Sequence, residues 1–128
     1  LCAAVADFTP DHTADHKIKR GKDGMTIQLK PTKDIAASLG ATKKEGQVLV
    51  GFALETNDEQ QNAKGKLERK KFDFIVLNSL NDKGAGFRVD TNKISIIDRQ
   101  DTTSYPLKNK SEVAKDIIDR LVQTLNKN

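Results

Sequence analysis

Val48-Leu49-Val50-Gly51-Phe52-Ala53-Leu54-Glu55, then the polar segment 56–70, then Phe72-Asp73-Phe74-Ile75-Val76-Leu77: this stretch decides the fold class of the chain. Its first run is apolar without alternation, the pattern of a strand buried on both faces of a parallel sheet. The run stops at an acid, Glu55. Thr56-x-x-Glu59 matches a capping box, so a helix is expected from about residue 57 to 70. On that helix Ala63 and Leu67 make one row suited to packing, and Lys66 and Lys70 share another face. The second apolar run closes at Asn78. Strand, helix and strand within about thirty residues form a βαβ unit, expected to cross over with the right hand. The fold class is therefore α/β, a Rossmann-like parallel sheet flanked by helices.

Upstream, Leu1-Cys2-Ala3-Ala4-Val5-Ala6 reads as another buried strand, and Asp7 arrives as the run ends. In an open α/β sheet that position floors a ligand crevice. Pro10 cannot extend a central strand, so the backbone is expected to leave the sheet there and swing Lys17 and Lys19 back over the strand end. One carboxylate and several cations at a strand mouth suit a phosphate-bearing ligand. Residues 8–24 form a polar loop too long to be idle. Met25-Thr26-Ile27-Gln28-Leu29-Lys30 alternates like a half-exposed strand. Thr32 as cap, Asp34 in the first turn and Gly40 after the last apolar position predict a short helix, whose N-terminal N–H groups attract anions or polar base edges.

Downstream, residues 93–98 and 102–107 flank the turn Arg99-Gln100-Asp101 and read as an antiparallel hairpin. Such a hairpin leaves an edge that a second subunit can cover. From Ser111 the positions Val113, Ile117, Ile118, Leu121 and Leu125 repeat with helical period, a stripe for core packing.

The totals fit one domain: 128 residues, a net charge of +4, 36% hydrophobic and 31% charged. The excess lysines are interleaved with acids, tryptophan is absent and only one tyrosine occurs, so a solvated surface explains most of the charge better than nucleic-acid binding. No apolar run approaches the roughly 20 residues of a membrane span, and no leader pattern opens the sequence. A cytoplasmic location is expected. Cys2, the single cysteine, fits a reducing compartment and a small buried side chain. His12 and His16 stand four apart near Asp11 and Asp15, but without a third His or Cys they read as a surface loop. G-x-S-x-G and Walker A patterns are absent, and Gly84-Ala85-Gly86 is only a partial dinucleotide match.

Several motifs in order carry a family resemblance: Ala3-Ala4-Val5-Ala6-Asp7-Phe8, Lys17-Ile18-Lys19-Arg20, Lys33-Asp34-Ile35, Leu49-Val50-Gly51-Phe52-Ala53-Leu54-Glu55-Thr56, and Phe87-x5-Asn92. Together they resemble phosphopantothenoylcysteine synthetase, the phosphopantothenate–cysteine ligase of coenzyme A biosynthesis, in its bacterial form. The likeness spans nearly the whole chain and corresponds to the C-terminal part of the ligase domain. The family's upstream glycine-rich loop and functional asparagine have no counterpart here, and Arg20 stands where the family usually has lysine.

The resemblance implies a two-step ligation. The carboxylate of 4′-phosphopantothenate attacks the α-phosphate of CTP, giving an acyl-nucleotide and pyrophosphate, and the amine of L-cysteine then displaces the nucleotide. It implies roles residue by residue. Lys17 neutralises the triphosphate and is the catalytic choice. Lys66 and Lys70 hold phosphates, although spacing alone reads them as a solvated helix face. Ala3 and Ala4 present backbone groups to the nucleotide, and Asp7 meets hydroxyls or a Mg2+ ion. Lys33, Asp34, Ile35 and Ala36 frame the base with Phe52, which also reads as an ordinary core phenylalanine. The resemblance further implies a homodimer through the hairpin at 93–107 and a possible fused phosphopantothenoylcysteine decarboxylase upstream. The alternative reading is a non-catalytic nucleotide-binding regulatory domain.

Overall fold

The computed structural model describes residues 5–22, 24–79 and 89–127. Their contacts fall into two compact units, residues 1–35 and 36–128.

In the first unit, β1 (Phe8–Pro10) pairs antiparallel with β2 (Leu29–Pro31), Thr9 lying opposite Lys30. At its described end, residues 5–7, the expected buried parallel strand is not found. Residues 1–4 lie outside the described residues, Val5 is exposed, and the strand begins only after Asp7. Pro10 closes that strand instead of diverting it, because a two-stranded ribbon has a free edge where a missing N–H costs nothing. The strand expected over 25–30 contracts to Leu29–Pro31. Thr32 is not a helix cap; its hydroxyl donates to the Ala6 carbonyl at 2.7 Å and its N–H to the Asp7 carbonyl at 2.9 Å. The short helix α1 accordingly starts later, Ile35–Thr42, with Gly40 buried inside it rather than after it.

Among the described residues the second unit is built on four strands: β3 (Val50–Glu55), β4 (Phe74–Ser79), β6 (Ile94–Ile97) and β7 (Thr102–Ser104), in the order β3-β4-β6-β7. A smaller pair joins β5 (Thr91–Asn92) to β8 (Lys108–Asn109). β3 and β4 are parallel and joined through α2 (Glu59–Arg69), so the βαβ unit is present. β6 and β7 form the expected hairpin. The sheet is nevertheless mixed, because β6 returns antiparallel to β4, and the expectation of a parallel sheet holds only for β3 and β4.

Each face of the sheet carries its own core, as the period-two geometry of a strand requires. Ile75, Leu77, Ile97 and Ala53 pack with Ala63 and Leu67 of α2, joined by Ala36 of α1. Phe74, Val76, Ile94 and Ile96 pack with Val113, Ile117 and Leu121 of α3 (Lys110–Leu125). β3 is an outer strand buried on one face only, and Phe52 (65%) and Leu54 (43%) are exposed, which corrects its reading as doubly buried. On α3 the expected stripe divides in the same way: Val113, Ile117 and Leu121 face the sheet, whereas Ile118 and Leu125 are exposed. Glu112 reaches back to accept from the Asn109 N–H at 3.2 Å, placing the start of α3 just before Ser111.

Both ends of α2 depart from the capping-box reading. Its N-cap is Asp58 in the left-handed region, φ 46°, two residues later than Thr56 implied. Its C-terminus closes as a Schellman turn: the Lys71 N–H donates to the Glu68 carbonyl, the Phe72 N–H to the Leu67 carbonyl, and Lys71 takes φ 52°. Leu67 and Phe72 are in the same core cluster, the apolar contact that usually accompanies this motif. Gly40 of α1 lies against that turn, where a Cβ would fall 1.9 Å from the Lys70 carbonyl oxygen. Just past that turn, Asp73 accepts from Lys43 Nζ (2.6 Å) and the Leu49 N–H (2.6 Å), fixing the start of β4 beside the start of β3.

Candidate functional site

Ligands of α/β sheets bind outside the carboxyl ends of parallel strands. In this chain that end belongs to β3 and β4, and it is polar. β3 finishes at Glu55, whose Oε1 accepts from Lys66 Nζ at 2.5 Å. Asn62 Nδ2 stands 3.5 Å from Glu55 Oε2 and donates to the Asn57 carbonyl at 2.9 Å. β4 carries Asn78 near its end, and Asn92 Nδ2 donates to Asn78 Oδ1 at 2.8 Å. Asn92 Oδ1 in turn accepts from the Lys93 N–H. Lys66 therefore sits at the carboxyl end of the parallel pair because α2 runs back along β3 and Glu55 draws its ammonium inward. Lys70, one turn on, is the C-cap residue of α2 and half-buried.

Phe52 is on the same strand as Glu55, three residues earlier, on the face that carries Val50 and that α2 does not cover. At 65% exposure its ring is available to a ligand, and the reading of it as an ordinary core phenylalanine does not hold. Ala36 is half-buried against the α2-side core, and Ile35 is the first residue of α1, partly exposed.

In the first unit, the two hydrogen bonds from Thr32 tie the segment leading to Lys33 and Asp34 directly to the backbone of Ala6 and Asp7. Asp7, Lys33 and Asp34 are all exposed. Lys17 lies in exposed coil between β1 and β2. Ala3 and Ala4 lie outside the described residues, as does Phe87 of the last motif. Among the described residues no three His, Cys, Asp or Glu side chains come together as a metal cluster; His12 is paired with Asp11 at 3.1 Å.

Glu55, Asn62, Asn78 and Asn92 are the residues that sequence reasoning did not assign. A signal existed for three of them: Glu55 and Asn78 are the polar residues at which the apolar runs stop, and Asn92 closes the Phe87-x5-Asn92 motif. A hollow of about 450 Å³ opens elsewhere, between α2 and the β6–β7 turn, lined by Lys64, Glu68, Arg99 and Asp101 among others. It holds none of the expected site residues and lies toward the amino end of β4, since Ile97 pairs with Ile75. The turn itself is fastened by Asp98. Burial alone would raise that carboxyl, but the Asp101 and Gln100 N–H groups and the Arg120 guanidinium outweigh it and hold Asp98 below the usual carboxylate range.

Residues 1–125 match the DNA/pantothenate metabolism flavoprotein C-terminal domain family. The chain belongs to that family. This C-terminal domain is the phosphopantothenoylcysteine synthetase part of coenzyme A biosynthesis bifunctional proteins. The Bacillus subtilis bifunctional protein CoaBC is 45% identical over 120 residues, which are 93% of this chain and 29% of that protein. A protein named cysteine/cysteine sulfinic acid decarboxylase, from an unknown prokaryotic organism, is 59% identical over 123 residues, 95% of this chain and 34% of that protein. The chain thus spans about a third of the curated relatives it matches. A crystal structure of the C-terminal domain of CoaBC superposes with a TM-score of 0.71 at 30% identity, covering 98% of this chain and 53% of that one. The family domain thus has the mixed α/β architecture described above. No helix among the described residues is long and apolar enough to cross a membrane.

Proposed function

We propose that this domain is part of a ligase that joins 4′-phosphopantothenate to L-cysteine through an acyl-nucleotide derived from CTP. The observation that carries the reading is Lys66: a cation drawn to the carboxyl end of the parallel pair β3 and β4, at a position where the family the chain belongs to is expected to hold phosphate.

In the first step the carboxylate oxygen of phosphopantothenate attacks the α-phosphorus of CTP, forming a phosphorus–oxygen bond as the bond to the bridging oxygen breaks and pyrophosphate leaves. In the second the cysteine amine attacks the acyl carbon, the amide forms, and CMP departs while the amine proton passes to solvent. Neither step needs a protein nucleophile. What is needed is alignment of two anions and cationic groups opposite the charge that grows at phosphorus. Lys17 is assigned to the triphosphate during acyl-nucleotide formation, and Lys66 and Lys70 to the phosphates. The backbones of Ala3 and Ala4 are assigned to the nucleotide, Asp7 to its hydroxyls, and residues 33–36 with Phe52 to the base. Magnesium commonly binds through one or two carboxylates plus substrate phosphates, and the exposed carboxylate of Asp7 fits that requirement. When bound there it would neutralise part of the triphosphate charge. The unpaired outer edge of β7, among the described residues, supports a homodimer formed through the 93–107 hairpin.

The test is pyrophosphate release from CTP by the full-length protein on addition of phosphopantothenate. Lys17→Gln is expected to reduce that release at least tenfold, roughly the worth of one charge-assisted hydrogen bond, and more if its contact tightens in the transition state. Release at the unaltered rate removes Lys17 from the catalytic role.

A second reading is favoured by the relative that carries the decarboxylase name. In it the domain binds nucleotide without turnover and regulates a decarboxylase elsewhere in the protein. That reading expects CTP to alter CO2 release from cysteine, with no pyrophosphate formed.

A further inference from the structure

Glu55 has no part in the ligation as assigned above, yet it is the best-anchored acid at this end of the sheet. Its side chain is only 13% exposed, against 36% for Lys66. Carboxylates are seldom buried to that degree unless paired. Both of its oxygens point toward α2: Oε1 takes the Lys66 ammonium at 2.5 Å and Oε2 faces the Asn62 amide at 3.5 Å. Asn62 is itself fixed, by its side-chain bond to the Asn57 carbonyl and by its N–H bond to the Asp58 carbonyl in the first turn of α2.

A carboxylate next to a phosphate subsite repels the ligand, so its presence there has to be offset by what it does to a neighbour. Lysine carries its charge on a flexible four-carbon stem and samples many rotamers unless it is held. An ammonium has three N–H donors, and Glu55 occupies one of them. Lys66 is itself partly exposed, which leaves room for its other donors to meet a ligand.

We propose that Glu55 is a positioning residue that holds the Lys66 ammonium at the carboxyl end of β3, where it meets the phosphates of a bound nucleotide. The proposal rests on the phosphate role of Lys66 given above. It concerns the reach of the Glu55 side chain rather than its charge, and that distinction makes it testable.

Two variants of the full-length protein separate reach from charge. Glu55→Asp keeps the charge and shortens the side chain by one carbon; Glu55→Gln keeps the length and an accepting oxygen but loses the charge. CTP affinity is measured by titration calorimetry, and KM for CTP and kcat by pyrophosphate release. Glu55→Asp is expected to weaken CTP binding about fivefold to tenfold and to raise KM with little change in kcat, the mark of lost ground-state binding. Glu55→Gln is expected to stay within about twofold of the parent, and Glu55→Asp is expected to do nothing further when Lys66 is already Gln. Glu55→Gln weakening CTP as much as Glu55→Asp overturns the proposal, as does an undiminished Glu55→Asp effect in the Lys66→Gln background. If Lys66→Gln alone leaves CTP affinity unchanged, the phosphate assignment itself fails and the proposal with it; failure confined to the Glu55 variants leaves that assignment standing. Asn62→Ala, at an exposed position, covers the case in which Glu55→Asp does not fold. It releases Glu55 Oε2 and is expected to weaken CTP binding only while Lys66 is present, and no weakening overturns the proposal.

Discussion

Asp98 organises the turn between β6 and β7. Its Oδ1 accepts from the Gln100 N–H at 2.8 Å and the Asp101 N–H at 2.7 Å, while Oδ2 pairs with Arg120 of α3. Burial works against its ionisation, and these donors more than reverse that. A carboxyl held below its unfolded value contributes stability that is complete above that value and disappears as the pH falls through the folded one. Stability of this domain is therefore expected to drop on acidification below about pH 4, where unfolded aspartate takes up its proton. Urea unfolding followed between about pH 2 and 5 checks this. Asp98→Asn should be less stable at neutral pH and should show a shallower acid slope.

At the scale of elements, two local devices decide how α2 is held. Lys71 occupies a left-handed position that glycine adopts without penalty, so Lys71→Gly is expected to stabilise the domain by about 0.5–1 kcal/mol. A lower thermal midpoint for that variant would mean that the lysine side chain contributes more than the backbone loses. Gly51 on β3 is the converse case: an added Cβ would stand 2.3 Å from the Phe72 ring. Gly51→Ala must push that ring out of the core under α2 and is expected to cost about 1–3 kcal/mol, read from the denaturant midpoint.

These elements also show what could be read in advance. β3, α2 and β4 were legible because their patterns are local: an apolar run, a polar segment with small packing residues, a second apolar run. The β6–β7 hairpin was legible for the same reason, from Arg99-Gln100-Asp101 between two strand-like runs. The antiparallel return of β6 beside β4 was not, since no short-range pattern records which strand lies next to which. Phe52 and Leu54 were misjudged because a continuous apolar run looks the same on an outer strand as on a central one. The left-handed Asp58 hid the true start of α2, as Thr56-x-x-Glu59 offered a plausible cap two residues too early. The site was half visible: family motifs pointed to Lys66, but its attachment to Glu55 joins the end of a strand to the third turn of a helix, and only folding brings those together.

Taken as a whole, the described part of the chain concentrates its apolar packing in one unit. Every buried hydrophobic residue among the described ones lies between Ala53 and Val113, within residues 36–128. That core is therefore expected to survive removal of residues 1–33, with a single cooperative urea transition retained. A broad, gradual loss of signal would show instead that the first unit completes it.

Within that unit the two packed layers have β4 as their shared wall. Phe74 and Val76 serve the layer under α3, while Ile75 and Leu77 serve the layer under α2. One added residue near the start of this strand would turn each of the four side chains to the opposite layer, swapping a phenylalanine for a leucine-sized space on one side and the reverse on the other. The two layers can drift independently through point changes in either helix, but any change in the phase of this strand strikes both at once. For a lineage of such domains, length variation should accumulate in the turns and stop abruptly at Phe74.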